Sequence, residues 1–142
     1  MSEHTLHVDI VSAEGEIYSG QAQMVYLPAA EGEIGVAPRH APLLALLKAG
    51  EVRVQLPEGG AELSFYVGGG ALEVQPTRVT VLADTAARAH DLDEAAALAA
   101  RQRAEEALAA KVDRIELAEA QAELVRAAAQ LKLIQKLRKI RG

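Results

Sequence analysis

Residues Glu31–Leu47 read EGEIGVAPRHAPLLALL. Gly32 and Gly35 open backbone angles closed to other residues, while Pro38 and Pro42 fix φ and remove donors. Such a stretch predicts a shaped, rigid surface turn followed by a buried strand, and it excludes a helix. The polar side chains this turn would hold out are Glu31, Glu33, Arg39 and His40.

The flanks on both sides read as strands. Leu6, Val8 and Ile10 alternate with His7, Asp9 and Val11, the period of a half-buried strand. Gln21–Leu27 repeats the pattern less cleanly and ends at Pro28. Beyond the opening stretch, Val52, Val54 and Leu56 alternate with Glu51, Arg53 and Gln55. LPEGGAEL then supplies a hairpin turn around Gly59 and Gly60, and Leu63, Phe65 and Val67 return. Gly68, Gly69 and Gly70 allow a close backbone approach or a bulge. Leu72 and Val74 resume, Pro76 interrupts, and Arg78–Ala83 closes the series. Short strands with turns at this spacing predict an antiparallel sandwich or barrel.

Ten of the 11 glycines lie at or before Gly70 and all 5 prolines at or before Pro76, so neither residue occurs from Thr77 to Arg141. Helix interiors exclude both, which places a change of class near His90 and predicts domains 1–90 and 91–142. Charge divides there too: 11 acids and 5 bases before the boundary, 9 acids and 10 bases after it. Asp91 with Glu94, and Asp113 with Glu116, form two capping arrangements. Leu92–Leu108 is dominated by alanine, the best helix former, and a second helix runs from about Arg114 to Ile140. Leu117, Leu124 and Leu131 recur every seventh residue, with Ala120, Ala127 and Ile134 three after each. That is a heptad seam. The short link Ala109–Val112 predicts an antiparallel hairpin. Burying an alanine contributes only about 0.8 kcal/mol. A hairpin held this way is marginal, and straightened it would form a rod of roughly 75 Å. Two states, hairpin and rod, are therefore open to this sequence.

Composition excludes several functions. A chain of 142 residues with no cysteine forms no disulfide framework and no thiolate metal site. A net charge of −5 argues against a nucleic-acid binder. No apolar run approaches the roughly 20 residues that span a bilayer. MSEHTLHVDIV has neither the basic region nor the cleavage site of a signal peptide, so a soluble cytoplasmic protein is expected, reaching a membrane only through a partner. Strand alternation puts His4 and His7 on opposite faces, away from any shared metal. His40 has no serine or acid at a recognisable catalytic spacing, and VGGGAL lacks the Lys-Ser/Thr of a phosphate loop. No enzyme is expected. Lys132–Gly142 carries 5 bases and no acid. One or two would suit a helix C-terminus; five also fit contact with an acidic partner surface.

Four segments in this order resemble one known family: LHVDIVSAEGEIYSG (6–20), EGEIGVAPRHAPLL (31–44), GGGALEVQPTRVTVLADTAARAHDLDEA (68–95) and the two-helix tail. The family is the epsilon subunit of bacterial and chloroplast rotary ATP synthases. The resemblance implies an α+β fold: an N-terminal antiparallel β-sandwich of about ten strands followed by a C-terminal antiparallel α-helical hairpin. It further implies a non-catalytic rotor subunit, peripheral on the cytoplasmic face of the bacterial membrane through its complex. The sandwich would sit against the gamma subunit and the ring of c subunits. Glu31 and Glu33 match the acidic turn facing the ring's polar loops, and His40, beside Arg39, matches a histidine near gamma. In many bacterial members the tail extends along gamma into the head and blocks ATP hydrolysis. Arg126, Lys132, Lys136, Arg138, Lys139 and Arg141 fall in the region that meets acidic segments of the catalytic alpha and beta subunits. Some homologues bind ATP through Ile/Leu-Asp-x-x-Arg-Ala. Leu92, Asp93 and Ala97 match that motif, but Ala96 stands where arginine is expected, so weak or absent ATP binding and no cofactor are anticipated. A nucleotide-sensing module and a non-catalytic adaptor of another complex are the alternatives.

Overall fold

In a computed structural model, which describes residues 4–110 and 113–141 and only the backbone of Arg141, the N-terminal alternation forms the strand it predicts. Strand β1, Leu6–Ser12, buries Leu6, Val8 and Ile10 and leaves His7, Asp9 and Val11 half-buried on the other face. Strands β2 (Gly15–Ala22), β3 (Met24–Ala29), β4 (Gly32–Val36), β5 (Leu43–Gln55), β6 (Glu62–Gln75), β7 (Arg78–Ala83) and β8 (Ala86–Arg88) follow. Their lateral order is β2-β1-β7-β6-β5-β3-β4, with β8 on β6. Strands β1 and β7 run parallel, His7 opposite Arg78; the other paired strands are antiparallel. Parallel neighbours need a long crossover, which the intervening strands supply.

The described residues form 8 strands rather than about ten, and β5 and β6 account for the difference. They are 13 and 14 residues long and pair in continuous register from Leu43 opposite Val74 to Gln55 opposite Glu62. The far edge of β6 changes partner along the way: Gly70–Gln75 pairs with β7, and Phe65–Val67 with β8. Each long strand serves both layers of the sandwich, so its halves do not separate. The bend falls at Gly69 and Gly70, whose φ angles are 103° and 136°. There the Gly68 N–H donates to the Thr85 carbonyl (2.8 Å) and the Asp84 N–H to the Gly69 carbonyl (2.9 Å), so the step from β7 to β8 follows the corner.

Two sequence expectations about turns need correction. The Gln21–Leu27 segment divides between β2 and β3, and Pro28 lies inside β3 rather than ending it. Pro28 sits where the β3–β5 ladder is irregular, between Tyr26 and Ala29, so its missing N–H costs no ladder bond there. The hairpin after β5 centres on Glu58 and Gly59, with φ of 61° and 71°, and the Gly60 N–H donates to Pro57 O at 3.1 Å. Positive φ at both central positions is the signature of a type I′ turn.

Between the layers lies a core of branched side chains, with Val8, Ile10, Leu27, Val52, Val54 and Val81 fully buried. Each contributes about 1.5–3 kcal/mol. Phe65, the chain's 1 phenylalanine, packs tilted on Tyr18 with ring centroids 5.3 Å apart.

Two compact units divide the chain, Met1–Arg88 and Ala89–Gly142. In the second, a 3₁₀ turn at Ala89–Asp91 leads to helix α1 (Glu94–Ala109) and helix α2 (Arg114–Arg141). The first cap differs from the Asp91–Glu94 expectation. Asp91 pairs with His90 at 2.9 Å, and Asp93 takes the cap, accepting the Ala96 N–H at 3.1 Å. At α2, Asp113 accepts the Glu116 N–H at 2.8 Å. Lys111 and Val112, in the expected link, lie outside the described residues. The helices form a hairpin whose seam buries Ala97, Ala104, Ala120, Ala127 and Leu131. Leu124 and Ile134 are half-buried, and Leu117 is 37% exposed.

The corner gives a test. A Cβ at Gly70 would collide with the Leu82 carbonyl, in a φ region closed to alanine. Gly70→Ala should destabilise the sandwich by at least about 2 kcal/mol, read as a lower urea midpoint, whereas Gly59→Ala, with open space around it, should cost less.

Candidate functional site

The motif that organises the sequence is spread over three structural pieces. Glu31 lies in the short loop of the β3–β4 hairpin, whose closing pair is Ala29 opposite Gly32. Gly32 takes φ 138°, and the Ala30 N–H donates to the Leu46 carbonyl at 2.8 Å, tying the loop to β5. Gly32–Val36 is thus a strand and not part of the expected turn. The turn proper is 37–42, where Arg39 adopts φ 68° and the His40 N–H donates to Ala37 O at 3.2 Å. The Arg39 N–H donates to Pro76 O at 2.8 Å and fastens this turn to the one between β6 and β7.

The aliphatic run after the turn is not buried as expected. Leu44 and Leu46 are 77% and 67% exposed, and of this run Leu47 is buried in the core with Ala45 packed against it. Alternation explains it: Leu44, Leu46 and Lys48 share the outer face of β5. Lys48 was the signal in the sequence that this face meets solvent. The exposed leucines and the hairpin loop enclose a groove of about 510 Å³, lined by Glu31, Glu33 and Ile34 on one side and Leu43, Leu44 and Leu46 on the other. It is an apolar floor with an acidic edge.

The two acids differ. Glu33 accepts from Arg53 Nη2 at 3.1 Å, and Arg53 also lies 3.6 Å from Glu62 and 4.3 Å from the Tyr26 ring centre. Glu31 is exposed and forms no ion pair among the described residues. Arg39 is exposed and lines a separate hollow of about 400 Å³ with His4, Gln23 and Pro38. His40 is half-buried, its Nδ1 2.7 Å from the Ala41 carbonyl, which places the proton on Nδ1. The structure therefore groups Glu31 with Glu33 and the leucines, and sets Arg39 at a different hollow.

On the outer face of β1, β2 and β7 lies a second polar cluster. Asp9 accepts from Ser19 Oγ (2.8 Å), His7 Nε2 (2.9 Å) and Arg78 Nη1 (2.7 Å). Gln21 Nε2 reaches His7 Nδ1 at 3.2 Å, a pattern satisfied by an Nε2-protonated imidazole. Ser19 gives its proton to the carboxylate and not to the ring, so this is no activated nucleophile. Burial pushes the Asp9 pKa up, but the bonds from Ser19 and His7 and the Arg78 charge outweigh it and hold the carboxyl below its ordinary 3.8. His7 is held within this network; His4 lies at the hollow beside Arg39.

In the helical unit, the residues of the degenerate nucleotide motif have structural work. Asp93 caps α1, Ala97 is buried in the seam, Leu92 is half-buried and Ala96 is exposed. Of the basic tail, Lys132, Lys136 and Lys139 are exposed and Arg126 is half-buried. Arg138 is bound to Glu94 at 2.6 Å. The side chain of Arg141 lies outside the described residues. Leu133, about 200° round the helix from Leu131, is also buried, which the heptad reading missed.

Comparison with known proteins covers both units. Residues 5–89 match the family described as ATP synthase, Delta/Epsilon chain, beta-sandwich domain, and residues 90–135 its long alpha-helix domain. The ATP synthase epsilon chain of Nitrosococcus oceani is 62% identical over 138 residues, 97% of this chain and 98% of that one. The ATP synthase epsilon chain 1 of Methylococcus capsulatus is 61% identical over the same shares. Among solved structures, a chain of the Euglena gracilis mitochondrial ATP synthase has the same fold, with a TM-score of 0.69 at 18% identity, covering 98% of this chain and 82% of that one.

The Asp9 network gives the sandwich an acid limit. A carboxyl whose folded pKa lies below its unfolded one stabilises above the unfolded value and loses that contribution as pH falls through the folded one. Melting temperature should therefore fall as pH drops below about 4, the ordinary carboxyl value. Asp9→Asn should melt lower at neutral pH and lose part of that acid-side drop.

Proposed function

Because this chain belongs to the ATP synthase epsilon-chain family, we propose that it couples rotation of the c ring to the catalytic head and brakes ATP hydrolysis with its helical unit. Epsilon is a non-catalytic subunit of that complex. Among the described residues no helix is long and apolar enough to cross a membrane. Attachment through the complex, on its cytoplasmic face, is part of the same proposal.

The sandwich is the coupling part. Its groove joins an exposed Glu31 to a leucine floor, which suits a polar, partly cationic loop with an apolar shoulder. The c ring is the partner proposed there. Gamma is proposed on the turn that carries Arg39 and His40. Torque needs a stiff contact, and the bonds of Ala30 to Leu46 and of Arg39 to Pro76 stiffen both loops.

The brake rests on one observation above the others: the seam between α1 and α2 is made largely of alanine. Such a seam packs closely but gives up little on parting. Extended α2 would carry Arg126, Lys132, Lys136, Lys139 and Arg141, with Arg138, toward acidic segments of the alpha and beta subunits. ATP would not hold the hairpin shut, because Ala96 brings no cation and Asp93 is already bound to its helix N-terminus.

Two measurements test this. In the assembled complex, ATP hydrolysis should rise severalfold when the chain ends at His90, at equal assembly. The full-length brake should weaken with salt. Equal hydrolysis would leave the sandwich as a coupling adaptor alone. For the free chain, millimolar ATP should leave the melting temperature unchanged; a ligand at 100 times its Kd would add about 2.7 kcal/mol and a clear upward shift.

A further inference from the structure

The open end of the helical hairpin, away from its link, carries a short ion pair. Arg138 Nη2 donates to Glu94 Oε2 at 2.6 Å, joining residues 44 apart in sequence. Glu94 begins α1 and Arg138 lies in the last turn of α2, so each charge also sits at the favourable end of its own helix dipole. A second cross-helix pair, Arg103 with Glu123 at 3.3 Å, lies further toward the link. What remains between them is mostly the weak alanine seam.

We infer that Glu94 and Arg138 form a latch, and that an acidic surface opens the hairpin by taking Arg138 from Glu94. Lifting the end of α2 from the start of α1 breaks this pair, because it ties those two ends directly. Capture by a partner is then an exchange of one carboxylate for another. The two ends of the latch have different consequences. Losing Glu94 only frees the tail; losing Arg138 frees it and also removes one of the groups that would be captured. The inference rests on the reading of the helical unit as a hairpin that opens onto an acidic partner, and deepens it by naming the contact in competition.

The test reads opening in the free full-length chain. The sequence has 0 cysteines, so Ala127→Cys places one thiol in the seam, at a position 3% exposed. Its rate of modification by a thiol reagent reports how often the seam parts. Both ends of the pair are substantially exposed, so the effect is modest: Glu94→Gln and Arg138→Gln should each speed modification about threefold. The double variant should be no faster than either. About 0.5 M salt should speed the parent by a similar factor and the double variant by clearly less, through the Arg103–Glu123 pair that remains there to screen. Accelerations that multiply in the double variant would mean independent helix-dipole effects, and an unchanged rate in either single variant would mean no latch; both overturn the inference. Since no partner is present, this outcome is independent of the brake. In the assembled complex Glu94→Gln should deepen inhibition of hydrolysis while Arg138→Gln does not; modification rates that follow the latch with hydrolysis unmoved would remove the brake and leave the latch.

Discussion

The sandwich depends on β5 and β6 turning a corner without breaking their shared ladder. Twelve-odd residues of continuous antiparallel pairing are too long for one flat layer above a core this small, and the strands must carry the pairing from one layer to the other. Gly69 and Gly70 make this possible by taking backbone angles that side chains rarely allow, and the Leu82 carbonyl occupies the space a Cβ at Gly70 would need. The rest follows from the corner. Beyond it β6 exchanges β7 for β8, β3 and β4 attach to one layer, and β1 and β2 attach to the other. The groove beside Glu31 exists because β5 reaches past the end of the β3–β4 hairpin before it bends.

Much of this was legible in the residues. Apolar residues at every second position marked β1, the second half of β5, β6 and β7, because alternate side chains of each pack on the core, although the middle of β6 is buried on both faces. Absence of glycine and proline marked the helices, and Asp113 marked the start of α2. What escaped reading depended on partners distant in sequence. Leu44 and Leu46 look like core residues until the layer they belong to is known. Pro28 reads as a strand end until its place at a gap in the ladder is seen. Asp91 has the Asp-x-x-Glu spacing and Asp93 does not, yet Asp91 pairs with His90 and Asp93 is the cap. The strand count differed because two strands that a corner would usually divide stay whole.

The candidate sites show how one charge can serve two descriptions. Glu33, by position in the motif, reads as a partner contact, yet it is one of the carboxylates around Arg53. Arg138 reads as part of a basic tail, yet it is bound to Glu94. Glu31 has no such internal pairing among the described residues and carries the clearer case for an external one. Spacing along a chain locates charges; only the fold separates those already bound from those still exposed.

The alanine seam also sets how the helices answer to temperature. Heat-capacity changes scale with the apolar area brought into water. Parting α1 from α2 wets four alanines with Leu131 and Leu133, a smaller apolar area than the core of valine, leucine, isoleucine and phenylalanine that unfolding the sandwich exposes. The sandwich therefore follows a curved stability profile with a flat top near about 10–20 °C, where small changes in temperature alter it little. The hairpin has less apolar area to expose and so a weaker curvature, and its balance between closed and open follows temperature with a more even slope. One chain thus joins a thermally buffered body to an appendage that responds to every degree.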